Sequence, residues 1–282
     1  MVDVRQLCFS YTGSAKLFDN LTFSLERGKV YGLLGKNGAG KTSLLKILCG
    51  LRYAGAGACT VDGIDCASRS LPQLQHVFLL PEEIPSYPFS AAKLAVVRGP
   101  FYPRFDAALY RSLLGELDVP SDRPMAKLSH GQRKKAAVAF GLATNCPLML
   151  LDEPTNGLDI PSKSIFRRVV ARCVNDDRTM VISTHQVRDV EHLIDSVAII
   201  DGGSIVLQAA LAQVSDKLAV AAEPAAGAEV LYAEDLPGGR RRCLVRNSGI
   251  GDGQVDLEFL FNAVITNPRQ TAEALGAPET TS

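Results

Sequence analysis

The chain carries no net charge, because 30 lysines and arginines stand against 30 aspartates and glutamates. No overall field therefore draws it to nucleic acid or to an anionic membrane, although a local basic patch is compatible with that balance. Paired cysteines are also missing. Cys8, Cys49, Cys59, Cys66, Cys146, Cys173 and Cys243 are scattered, odd in number and without a C-x-x-C pair. Each reads as a small buried hydrophobe. Cys59 and Cys66 come nearest to a pair, but they flank a turn at Asp62-Gly63 and have no histidine beside them. That usage suits a reducing cytosol. No apolar run approaches the roughly 18 residues that cross a bilayer. The opening MVDVRQLCFSYTG lacks the basic start and apolar stretch of a secretion signal. A membrane role would then require another chain to hold this one there. No internal repeat is visible.

Hydrophobic residues make up 46% of the 282 residues and charged ones 21%, a globular composition. The length allows one large domain, or one domain and a small appendage. Residues 2–25 alternate apolar and polar in short stretches, which predicts antiparallel strands. Val30-Tyr31-Gly32-Leu33-Leu34 is apolar without alternation, as a strand covered on both faces is. Glycines follow it, then residues 43–48 at helical spacing. Pro81, Pro85, Pro88, Pro100 and Pro103 break up any long element between 81 and 103. Asp106 then reads as an N-cap, with Leu109, Leu113 and Leu117 on one helix face. A second helix is predicted over about 129–142. Apolar strands at 147–151 and 179–183 flank another helix, so strands and helices alternate around a mainly parallel sheet. The stretch 82–142 reads as a helical insertion into that sheet.

Past residue 212 the texture changes. Residues 219–228 are alanine-rich, a linker or a poor strand. Val230-Leu231-Tyr232 and Cys243-Leu244-Val245, on either side of Leu236-Pro237-Gly238-Gly239, predict a hairpin. Leu257, Leu260, Phe261 and Val264 fit one face of a short helix. The polar residues from about Asn267 onward are expected to be loose. The expected division is thus 1–212 for the main domain and 213–282 for a small extension.

Gly35-Lys36-Asn37-Gly38-Ala39-Gly40-Lys41-Thr42 matches G-x-x-x-x-G-K-[ST], between a buried strand and a helix. Glycines let the backbone wrap phosphate oxygens with its N–H groups turned inward. The helix start adds its positive dipole end. Lys41 offers a point charge to the β- and γ-phosphates of ATP, and Thr42 a hydroxyl to Mg²⁺. Leu150-Leu151-Asp152-Glu153 places two acids at the end of an apolar strand. Asp152 suits the metal, and Glu153 can polarise a water for attack on the γ-phosphate. By itself an Asp-Glu pair more often just closes a strand; the upstream loop changes that balance.

Leu128-Ser129-His130-Gly131-Gln132 lies just ahead of this strand, Pro154-Thr155-Asn156-Gly157-Leu158-Asp159 just after it, and Ser183-Thr184-His185 after the next. In order and spacing these motifs resemble the signature, the D-loop and the switch histidine of the ATP-binding-cassette (ABC) family, over about residues 2–212. The resemblance implies an α/β P-loop ATPase core with an antiparallel β subdomain, a helical subdomain and here a small α+β extension. It also implies ATP and Mg²⁺ as cofactors, and head-to-tail pairing of two cassettes as a homodimer or heterodimer. ATP on one cassette is then covered by Ser129, Gly131 and Gln132 of the other. His185 is expected at the γ-phosphate. Tyr11 fits the adenine-stacking aromatic, with Phe9 competing and a core role open to either.

Two positions depart from the family pattern. His130 replaces a glycine of the signature, which puts the nucleotide sandwich in question. Glu82, in Leu79-Leu80-Pro81-Glu82-Glu83, stands where the family has a glutamine. Its carboxylate can hold Mg²⁺ or a water but adds negative charge beside the phosphates. Phe101-Tyr102-Pro103-Arg104-Phe105-Asp106, Glu82 and the extension together resemble a bacterial exporter-type subgroup whose ATPases are separate chains paired with transmembrane permease subunits. Docking is expected through a groove near Glu82 and the proline-rich segment, at the cytoplasmic face of the cell membrane, with export as the direction. A cassette acting on the ribosome or nucleic acid is the alternative. Those families carry paired cassettes, long coiled-coil insertions or zinc-binding cysteines, none of which is present, and the balanced charge gives no basic footprint. Arg133-Lys134-Lys135 and Arg240-Arg241-Arg242 read as solvated faces.

Overall fold

A computed structural model of the chain describes residues 1–222, 224, 228–247 and 255–276. The alternating N-terminal pattern forms β1 (Val2–Ser10) and β2 (Lys16–Leu25), paired antiparallel. Period-two spacing turns Val2, Val4, Leu21, Phe23 and Leu25 to a buried side. The unbroken apolar run forms β3 (Val30–Leu34), buried at every residue, and the glycine loop leads into α1 (Lys41–Leu48). Strands β4 (Ala56–Val61) and β5 (Ile64–Asp65) return to the first sheet and complete its order, β2-β1-β4-β5. Cys59 and Cys66 meet there, both buried and free.

After α2 (Leu71–His76) and β6 (Val77–Leu80), the prolines leave room for the short α3 (Ala91–Arg98), capped by Ser90. Helix α4 (Ala107–Glu116) starts on Asp106, whose carboxylate accepts from the N–H groups of Ala108 and Leu109. That satisfies two donors a helix start otherwise leaves unpaired. Leu113 and Leu117 point into the core, and Leu109 packs at its edge. Next come α5 (His130–Ala143), β7 (Leu148–Asp152), α6 (Ile160–Arg172), β8 (Thr179–Thr184), β9 (Ser196–Asp201) and β10 (Ser204–Ala210).

These strands form a six-stranded sheet of order β10-β9-β3-β8-β7-β6, parallel except for the edge pair β10–β9. Each face has its own core. Leu33, Leu150 and Val181 pack toward α1 and the antiparallel sheet. Leu34, Leu151 and Ile182 pack toward α4, α5 and α6.

Helix α7 (Leu211–Lys217) runs across positions 212 and 213 into β11 (Leu218–Ala221), so the alanine-rich stretch begins as a strand. The hairpin of β12 (Val230–Leu236) and β13 (Arg240–Arg246) forms as expected, and β11 adds a third strand in the order β11-β13-β12. Helix α8 (Leu257–Thr266) corrects the expected face: Leu257, Leu260 and Val264 are buried, but the fully buried aromatic is Phe259, while Phe261 is half-buried. For residues 268–275 the expectation of a loose tail from Asn267 is overturned. Residues 268–275 form α9 (Pro268–Leu275), with Thr271, Ala274 and Leu275 buried. Those three sit at i, i+3 and i+4, a one-sided stripe short enough to be masked by polar neighbours. Residues 277–282 lie outside the described ones.

Arg242 is half-buried rather than solvated, while Arg240 and Arg241 are exposed. The Arg242 guanidinium lies 3.9 Å from the centroid of Phe259 and bonds to Glu234 at 2.9 Å and Asp256 at 2.5 Å. Apolar residues of α7, β11, β12, β13 and α8 join the cluster on the second face of the large sheet. Helix α8 packs on the turn Val187–Asp189 and on β9. No helix among the described residues is long and apolar enough to cross a membrane.

Candidate functional site

The carboxyl ends of β3, β7 and β8 lie side by side, and each carries one motif. Leu34 stands opposite Thr184 and Asp152 opposite Ser183, so the glycine loop, the acid pair and Ser183-Thr184-His185 converge. Crevices outside the carboxyl ends of parallel strands are where such sheets bind ligands.

The loop needs glycine at its exit. Gly40 caps α1 at φ 103°, and a Cβ there would lie 2.6 Å from the ring of buried Phe18. Gly35 and Ala39 form the base, where a Cβ on Gly35 would meet Ile200 O at 2.6 Å. Lys41 is buried, and its Nζ donates to the carbonyls of Gly35 at 2.7 Å and Lys36 at 3.2 Å. Burial pulls its pKa below the ordinary value, against the opposing pull of Glu153, Asp152 and Glu82.

Thr42 Oγ1 donates to Asp152 Oδ2 at 2.8 Å, and Ser183 Oγ donates to Oδ1 at 2.6 Å. Both oxygens of the buried Asp152 are thus oriented. Glu153 is equally constrained. Its Oε2 accepts from Thr184 Oγ1 at 3.2 Å, and its Oε1 accepts from the His185 N–H at 3.1 Å. His185 Nδ1 lies 2.8 Å from the same Oε1. The Glu153 backbone has φ 45°, a left-handed conformation that costs a non-glycine residue about 1–3 kcal/mol.

Tyr11, Asn37, Gly38, Lys41, Thr42, Glu82, Glu153 and His185 line one cleft of about 580 Å³. Of the two competing aromatics only Tyr11 faces it, 40% exposed, with its hydroxyl 2.8 Å from Ser43 Oγ. Phe9 is buried, edge-on to Tyr11 at 5.0 Å. Glu82 is exposed at the rim and accepts from Asn156 Nδ2 at 3.2 Å. Ser129, Gly131 and Gln132 do not line this cleft. They form the first turn of α5, where Ser129 Oγ accepts from the Gln132 N–H and Gln132 Oε1 accepts from the Ser129 N–H. His130 packs beside Gly157, where an added Cβ would lie 2.9 Å from the imidazole.

The basic run after the signature requires a correction. Lys134 has no exposed surface, and its Nζ donates to the Glu153 carbonyl at 2.7 Å. Arg133 is half-buried and donates to Leu128 O at 2.7 Å. Lys134 follows the buried stripe of α5, four residues ahead of Val138 and eight ahead of Leu142. That spacing was available in the sequence. Ser183 and Thr184 are further residues that sequence reasoning gave no role, although they directly precede His185.

A buried cation and inward N–H groups at a helix start can cradle phosphates. A hydroxyl beside an oriented carboxylate offers the hard oxygen donors that Mg²⁺ takes. Among the described residues no group of three or more His, Cys, Asp or Glu could hold a metal ion. Thr42 and Asp152 supply two such donors, and Mg²⁺ ordinarily completes its shell with substrate phosphates and water.

The ABC transporter family profile matches residues 18–156. The chain is 31% identical over 217 residues to the lantibiotic transport ATP-binding protein SrtF of Streptococcus pyogenes, covering 74% of this chain and 90% of that protein. It is 27% identical over 207 residues to the ABC transporter ATP-binding protein YtrB of Bacillus subtilis (strain 168), covering 73% and 70%. A solved structure of an ATP-binding subunit of an ABC transporter shares the fold, with a TM-score of 0.69 at 24% identity over 76% of this chain and 91% of that one.

Proposed function

The chain belongs to the ABC transporter family and is an ATP-binding, ATP-hydrolysing subunit; from that premise we propose that it drives a separate permease, with Glu153 orienting the attacking water. The carrying observation is the convergence of Lys41, Thr42, Asp152, Glu153 and His185 on one cleft edge. Lys41 and the loop N–H groups bind the β- and γ-phosphates, and Tyr11 stacks on the adenine. Thr42 and Asp152, with Glu82 at the rim, hold Mg²⁺, which neutralises charge on the phosphate oxygens when bound. Glu153 accepts a proton from the water it orients. His185, tied to Glu153 Oε1 through Nδ1, keeps Nε2 free to face the γ-phosphate.

Ser129, Gly131 and Gln132 lie outside the chain's own cleft, which supports a second cassette supplying them across a head-to-tail pair. The pair is a homodimer or a heterodimer. An apolar cavity of about 640 Å³ beside the proline-rich segment supports docking of the permease there, at the inner membrane face. Leu71, Leu74, Pro85, Phe101 and Tyr102 are among its walls. Export is the proposed direction, on the strength of Glu82, the 101–106 segment and the lantibiotic transport named for SrtF.

Light scattering of Glu153→Gln with Mg²⁺-ATP tests the reading. The variant is expected to form a stable ATP-dependent dimer that wild type does not accumulate, because binding persists while hydrolysis stops. No dimer together with unchanged hydrolysis would remove Glu153 from its role.

A further inference from the structure

Lys134 is a buried ammonium that the proposed mechanism leaves unused. Taking such a charge out of water is costly, and a methionine would fill the same space without that cost. We propose that Lys134 is a positioning residue for ATP hydrolysis: from α5 it holds the Glu153 carbonyl and so fixes where the Glu153 carboxylate points. The proposal rests on Glu153 being the water-orienting group.

The geometry is specific. Glu153 sits at φ 45° just past the end of β7, beyond any helix or strand that would impose that conformation. Its N–H donates to Ser183 O at 3.0 Å, and its carbonyl accepts from Lys134 Nζ at 2.7 Å and from the Asn156 N–H at 3.2 Å. The strained residue is therefore pinned at both polar groups, by β8 on one side and by α5 and the following turn on the other. Burial lowers the Lys134 pKa, while Glu82, Glu153 and Asp152 pull the other way and favour the ammonium. Ser129 caps helix α5, so the Lys134 bond ties the helix that carries the signature turn to the chain's own Glu153. Loss of that bond frees the Glu153 peptide to relax from the left-handed region and swings its side chain.

Steady-state ATP hydrolysis by the full chain tests this with Lys134→Met, Lys134→Gln and Glu153→Gln. Misplacing a reacting group by an ångström can cost up to about a hundredfold. Lys134→Met is expected to lower kcat at least about tenfold, with KM for ATP within about twofold. Lys134→Gln keeps an N–H donor for the carbonyl and should recover kcat to within about threefold of wild type. Unchanged kcat in Lys134→Met overturns the proposal. So does an equal loss in both lysine variants with a lowered unfolding midpoint, which marks a purely structural bolt. Wild-type hydrolysis by Glu153→Gln would instead sink the assignment of Glu153.

Amide hydrogen exchange gives a readout that needs no turnover. Residues 152–158 should exchange faster in Lys134→Met than in wild type or Lys134→Gln. Equal protection in all three overturns the proposal even if the chain hydrolyses no ATP alone. Should Lys134→Met fail to fold, Lys134→Gln must still keep kcat within about threefold of wild type and protect residues 152–158 as wild type does, and a larger loss in either overturns the proposal.

Discussion

At Gly40 two demands coincide: a φ of 103° and a backbone pressed against the ring of Phe18. A methyl group there meets both the left-handed penalty and a fully buried aromatic with no room to yield. Gly40→Ala should destabilise the fold by about 1–3 kcal/mol and abolish binding of a fluorescent ATP analogue. Denaturant unfolding and a binding titration check the two effects separately, and wild-type affinity would show that the loop tolerates the methyl. Much at this scale was legible in the sequence. Asp106 caps its helix as its position predicts, because N-capping is a local matter of one side chain and its next three amides. Lys134 was misread as solvated although its helix phase was available, because a run of three cations outweighs phase unless the two are compared. Tyr11 and Phe9 could not be told apart either, since which ring meets the cleft depends on the twist of β1 against the loop from β3.

Among the elements, α9 shows how a short amphipathic pattern escapes notice. Its apolar stripe is only Thr271, Ala274 and Leu275, and the helix stops at Gly276, which takes φ 61°. Gln213 Nε2 and Lys217 Nζ, both on α7, donate to the Leu275 carbonyl at 2.9 and 2.6 Å. Those bonds satisfy a carbonyl that the helix end leaves open. They come from residues 62 and 58 positions away, which no local pattern reveals. Leu275→Ala should cost about 2–5 kcal/mol, as deletions of fully buried leucine do. Chemical denaturation measures it, and an unshifted midpoint would mean that α9 is not part of the cooperative fold. The strands were easier. β3, β7 and β8 are buried at every residue, and each carries an unbroken apolar run, because both faces of their sheet are covered.

For the molecule as a whole, the six-stranded sheet separates two cores, and the C-terminal extension shares one of them. Val187 and Val190, just past His185, belong to the same apolar cluster as Leu257 and Phe259 of α8. Arg188 and Glu258 add an ion pair at 2.7 Å, and Glu191 Oε1 accepts from the Leu257 N–H. That pair is exposed and worth at most about 1 kcal/mol, so burial carries the attachment. A shared core predicts one calorimetric transition, with calorimetric and van't Hoff enthalpies equal. Two separate transitions would show that the extension folds by itself. The change in texture near residue 212 was visible in the sequence, but its apolar residues alone could not say which surface they would cover.

The first turn of α5 lies apart from the cleft that holds Lys41, and of the two proposed pairings the homodimer gives this a genetic meaning. An allele broken at Lys41 and another broken at Ser129 are each inactive alone. Expressed together they form mixed pairs in which one site carries both defects and the other carries neither, so two dead alleles complement.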